Sequence, residues 1–173
     1  ANAHAGTGRS ASFEWAVSAT ASIGLHLLSR AYRLRLLDAV QELAGGDDRD
    51  AQLDAEALLE AMTVQQLSAQ RGLDTTVARL REGRWDLLVG VLGRLAPVDA
   101  AALAGVRESV TTALAFTLDV SSFASGEWGS REEQLRQETG RKLLDSGWRL
   151  VTVDRDTTVQ DAWQAATQIV GIP

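Results

Sequence analysis

Along the chain, apolar positions recur first at helical and then at strand spacing, and the two alternate to the end. Ser12 is placed to cap a helix from Phe13 to about Ala31. Phe13, Ala16, Val17, Thr20, Gly24, Leu27, Leu28 and Ala31 share one face of it, while Trp15, Ala19 and Ile23 lie on other faces. No charged residue falls between Glu14 and Arg30, so this helix is expected to be buried on several sides. Arg33–Asp38 reads as a strand, and Gly45–Asp50 as a polar turn. A helix carrying Leu58, Leu59 and Met62 follows, then another from Asp74 carrying Val77 and Leu80. The uninterrupted run Trp85–Leu92 fits a buried parallel strand.

Pro97 suits the first turn of a helix bearing Val98, Ala102, Leu103 and Val106. Thr112–Val120 reads as a strand and Ser121–Gly129 as a loop. Ser130 with Glu133 forms a capping box for a helix that stops at Gly147. Trp148–Val153 is the last strand. Thr157 with Gln160 gives a second capping box, for a helix with Val159, Ala162, Trp163, Ala166 and Val170 inward. This alternation predicts an α/β fold of three layers, a mostly parallel sheet with helices on both faces, of Rossmann-like type. No linker or repeat divides residues 1–173, which form a single domain.

A fold of this kind normally opens with a strand that feeds the first helix. The residues from Ala1 to Ser12 instead read as loop, rich in Gly and Ser and poor in β-branched residues. The expectation is a C-terminal piece of a larger protein, cut just downstream of its first strand.

Composition narrows the functions. A net charge of -6 argues against nucleic acid as a partner, since phosphate binding needs clustered cations. Cysteine is absent, which excludes disulfides, thiolate metal sites and cysteine nucleophiles. The lack of cysteine is compatible with a cytoplasmic location, and no apolar stretch is long enough to cross a bilayer.

Several residue sets suggest chemistry, each with a plainer explanation. Gly6-Thr7-Gly8 before a helix resembles a phosphate-binding loop, with the third glycine replaced by Ala11 and only Asp38 placed to meet a ribose. His26 in the apolar helix reads as a structural imidazole, and His4 lies in the terminal segment. Ser10 and Ser12 lack the G-x-S-x-G elbow of a serine hydrolase. Asp47, Asp48, Asp50 and Asp54 do not follow the spacing of a calcium loop and read as a solvated turn. Asp154 and Asp156 follow the last strand, where parallel sheets often bind ligands; they serve equally to start the last helix.

The stretch Ser12-Phe13-Glu14-Trp15-Ala16-Val17-Ser18-Ala19-Thr20-Ala21-Ser22-Ile23 resembles a bacterial family with a von Willebrand factor A-like domain, often encoded beside MoxR-type AAA+ ATPases. The similarity continues through Leu27-Leu28-Ser29-Arg30-Ala31-Tyr32-Arg33-Leu34-Arg35-Leu36 and returns at Gly147-Trp148-Arg149-Leu150-Val151, with an actinobacterial character. It implies a cytoplasmic module whose parent is anchored to the inner face of the membrane by helices upstream. It further implies that the missing first strand is the central one of the sheet, so that its loss leaves a hole between Arg33–Asp38 and Trp85–Leu92. Such a hole would be filled by foreign or swapped backbone, closed by a new strand order, or used in self-association. The resemblance also implies a metal held by Asp-x-Ser-x-Ser after the first strand and by a later Thr and Asp. Here that first motif is absent, and Gly93 and Arg94 stand where the later aspartate would fall. No metal, cofactor or catalytic residue is therefore expected. The leading expectation is a non-enzymatic interaction or scaffold domain with a degenerate metal site, working with an AAA+ ATPase in assembling or maturing a complex. Its partner-binding rim is expected at Arg94, Phe123, Trp128, Asp154 and Asp156. The rival is an enzyme or sensor that takes a nucleotide or small anion at Gly6–Ser12. A purely structural domain is a third reading.

Overall fold

The computed structural model describes residues 11–37, 42–44, 54–63, 73–124 and 130–170. Helix α1 (Ala11–Ser29) is followed by two short strands, β1 (Leu36–Leu37) and β2 (Glu42–Ala44). Then come α2 (Ala55–Thr63), α3 (Asp74–Glu82), β3 (Trp85–Leu92) and α4 (Pro97–Ala104), which runs into a 3₁₀ turn at Gly105–Ser109. Strand β4 (Val110–Leu118), α5 (Ser130–Asp145), β5 (Arg149–Val153) and α6 (Val159–Val170) complete the order.

Among the described residues the main sheet has three strands in the order β3-β4-β5, all parallel. Its register runs from Trp85 beside Val110 to Leu92 beside Thr117, and from Leu114 beside Arg149 to Leu118 beside Val153. The expected α/β architecture is present, with helices on both faces of this sheet. Strand β4 shows why: Leu114, Phe116 and Leu118 face α1 and α6, whereas Ala113 and Ala115 face α3, α4 and α5. The period of two thus divides one strand between two cores. Trp148 fills the second core at 2% exposure, and its indole N–H donates to the Leu103 carbonyl at 3.2 Å.

Helix α1 is buried on several sides, as its composition predicts. The stripe that meets the sheet is Ala19, Ile23 and Leu27, with Trp15 and Ala16 alongside. Val17, Ala21, Leu25 and Leu28 pack instead against α2, around the buried Leu58 and Met62. This differs from the single face assigned above, because a helix with so few charges offers the sheet more than one apolar stripe. Ser12 lies inside the helix and is fully buried, so it is not the residue before the first turn. The helix ends two residues earlier than expected. The Ala31 and Tyr32 amides close it on the carbonyls of Leu28 and Leu27, and Ala31 takes a left-handed φ of 61°.

The Arg33–Asp38 strand needs correction. Among its described residues, only Leu36 and Leu37 are extended in a ladder, and they pair antiparallel with β2 in a separate two-stranded sheet. A nearby segment satisfies their hydrogen bonds, so the local hairpin replaces a longer-range pairing. Leu34 and Leu36 still reach the core between α1 and α2, Leu37 reaches the core under α3 and α4, and Arg35 lies over the Trp85 ring at 5.2 Å. Among the described residues no strand precedes α1, and the outer edge of β3 has no strand partner.

Smaller differences have local causes. Val98 is 70% exposed, because Ala100 and Leu103 take the inward positions of α4. The 3₁₀ turn after α4 shifts the phase and lets Val106 point inward. The last helix is capped one residue later than expected. Thr158 Oγ1 accepts from the Asp161 amide and donates to Asp161 Oδ2, a side-chain cap by Thr158 that its hydroxyl's bond to Asp161 holds in place. Thr157 is used elsewhere. At α5, the Glu133 carboxylate accepts from Arg136 and Gln137. These bonds, those from Arg136 foremost, hold its charge and lower its pKa. Asp54 caps α2 through the Ala57 amide at 2.8 Å, and Asp47, Asp48 and Asp50 lie outside the described residues.

Candidate functional site: the carboxyl rim of the sheet

In a parallel sheet all strands release their chains at one end, and the loops there stand beside the first turns of the helices that follow. Three such loops leave β3, β4 and β5. The β4 loop turns sharply because the Asp119 carboxylate accepts from the amide and the hydroxyl of Ser121. The Asp119 amide donates to the Val153 carbonyl at 2.7 Å, extending the β4–β5 pairing into the loops. Ser122 Oγ donates to the Asp119 carbonyl and accepts from the Arg155 amide at 2.9 Å. The β4 and β5 loops are therefore cross-tied.

Asp154 organises the β5 loop. Its carboxylate accepts from Thr157 Oγ1 at 2.5 Å and from the Asp156 amide at 3.1 Å. The Thr157 hydroxyl foremost, helped by the backbone amides, holds the Asp154 carboxyl below its usual pKa. Trp15 of α1 donates its indole N–H to the Thr157 carbonyl at 2.8 Å, which fixes α1 against the same loop. At the β3 loop, Arg94 forms an ion pair with Glu132 of α5 at 3.2 Å.

Of the expected rim residues, Arg94, Phe123, Asp154 and Asp156 all sit on these three loops, and Trp128 lies outside the described residues. Phe123 and Arg155 face the first turns of α1 across an open cleft of about 350 Å³, lined by Ala11, Glu14, Trp15, Ser18, Phe123 and Arg155. The sequence pointed to the loops but passed over two cleft residues. Trp15 reads as a packing residue, and Arg155 is masked by the aspartates on either side. Their positions were the available signal: one in the first turns of a helix, the other just after a parallel strand.

His26 lies edge-on to Trp163, with ring centroids 5.4 Å apart, away from this cleft and within the packing of α1 on α6. Gly6, Thr7, Gly8, His4 and Ser10 lie outside the described residues, and Ala11 and Ser12 are helical. Among the described residues, no group of three or more His, Cys, Asp or Glu side chains is arranged to hold a metal ion. No described helix is long and apolar enough to cross a membrane. No protein-family model, curated protein or solved structure matches the chain.

Proposed function

We propose that this domain is a non-enzymatic interaction module, von Willebrand A-like with a degenerate metal site, that receives a protein partner on the carboxyl rim of its sheet. The observation that carries the reading is the cross-tying of the rim. Ser122 joins the β4 and β5 loops, Trp15 joins α1 to the β5 loop, and Arg94 joins the β3 loop to α5. A surface held in one conformation loses little entropy on binding, which suits a partner-binding site. Two rim carboxylates, Asp119 and Asp154, are spent on holding their turns. The resemblance of the first helix makes an AAA+ ATPase of the MoxR type the partner to try first.

The test is capture of such an ATPase, encoded beside the parent gene, by the immobilised domain. Asp156→Lys and Phe123→Ala should each weaken capture, whereas Gln164→Lys, on the exposed face of α6, should leave it unchanged. Mg²⁺ or Mn²⁺ titrated into the parent protein alone, without the ATPase, should show no tight binding. Rim variants that bind like the parent sequence would overturn the rim. Tight metal binding by the parent protein that strengthens capture would overturn the degenerate site.

A further inference from the structure

We infer that the cleft between α1 and the β4 and β5 loops is a peptide subsite, taking an apolar side chain of the partner that has a carboxylate beside it. The inference rests on the rim reading and specifies its chemistry. Two aromatic groups form the apolar part. The Trp15 ring is fixed by its bond to the Thr157 carbonyl and stands 6.4 Å from the Phe116 ring of the core. Its only N–H is already used, so what it offers a ligand is hydrocarbon surface. Phe123 packs on the same core from the opposite loop.

The charge comes from Arg155. Its backbone amide is anchored on Ser122 Oγ, yet its side chain is exposed, and among the described residues its guanidinium has no acidic partner. Glu14, on the other wall, already has an interaction of its own. The free complement is therefore a carboxylate, which a guanidinium can hold through two parallel N–H donors. The size fits as well. At about 350 Å³ the cleft stands at the lower end of the roughly 300–1,000 Å³ typical of ligand sites, enough for a side chain and its neighbour.

The experiment uses two blocked dipeptides, N-acetyl-Leu-Asp-amide and N-acetyl-Leu-Asn-amide, titrated into the whole chain and followed by ¹H–¹⁵N NMR. The Asp peptide should shift the Trp15 indole and Arg155 resonances and bind about threefold more tightly than the Asn peptide, as befits an exposed ion pair. Arg155→Gln should erase that preference while the Leu-dependent shift at Trp15 remains, and circular dichroism checks that the variant is folded. Equal binding of the two peptides, shifts confined to other regions, or no shift at the solubility limit would each overturn the subsite. Failure of the dipeptides with rim-dependent ATPase capture intact would sink the subsite alone. Dipeptide binding without rim-dependent capture would sink the rim reading instead.

Discussion

Helices α1 and α5 end with the same pair of backbone bonds. The Ala31 and Tyr32 amides close α1, and the Gly147 and Trp148 amides close α5 on the carbonyls of Leu144 and Leu143. The residue at the left-handed position differs: Ala31 has φ 61°, Gly147 has φ 90°. A side chain in that conformation costs about 1 kcal/mol. Ala31→Gly should therefore raise the urea midpoint, worth about 1 kcal/mol, and Gly147→Ala should lower it by at least as much. The second change also brings a Cβ to 3.3 Å from Arg107 Nε.

Asp154 supplies a test in pH. Its folded pKa is depressed, so its contribution to stability is fully present above the ordinary aspartate range. That contribution is lost as pH falls through the lowered value. Thr157→Val removes the main cause, and the Asp154 carboxyl should then titrate closer to an ordinary aspartate when followed by carbon NMR. An unchanged titration would mean that the backbone amides alone hold the charge. The cap at α6 shows how a sequence reading slips by one position. Thr157 and Thr158 are chemically alike, and only the demand of Asp154 for a hydroxyl donor decides which of them caps the helix.

Among the elements, α2 has the most conditional place. It rests on α1 through Leu58, whose Cδ2 would lie 2.6 Å from a Cβ added at Gly24. Glycine is costly inside a helix, and here close packing of α2 is what that cost permits. Gly24→Val should push α2 off α1, accelerating hydrogen exchange of amides 57–63 far more than that of β4. Protection that stays equal in both would show that Leu58 moves aside without cost. Long elements with one strong period were legible from the sequence, as the full match of Trp85–Leu92 to β3 shows. Arg33–Asp38 was not, because an apolar run reveals a tendency to extend but not the strand with which it will pair. The cleft was hidden for a related reason: Trp15 and Arg155 are 140 positions apart and meet only through the crossover of the whole fold.

At the scale of the whole molecule, β4 is the central strand and belongs to both cores, while β3 presents an eight-residue edge without a strand partner among the described residues. Edges of that length and apolarity favour pairing between chains. The isolated domain is expected to associate with rising concentration in sedimentation velocity, with the amides of β3 gaining exchange protection as it does. Monomers at every concentration would mean that the edge is covered. Amides of Ala113–Thr117 should exchange slowest in either state, since Ala113 to Phe116 are essentially inaccessible.

The division of the sheet into two cores has an optical consequence. Trp148 lies in one core, while Trp15 and Trp163 pack on the other, with Phe116 beside both of their rings. Versions that retain Trp148 alone, or Trp163 alone, would give two separate emission signals, one from each side of β4. If the domain unfolds as a unit, the two signals will change at the same denaturant concentration. If one helical layer detaches first, its indole will shift to the red while the other keeps its native emission.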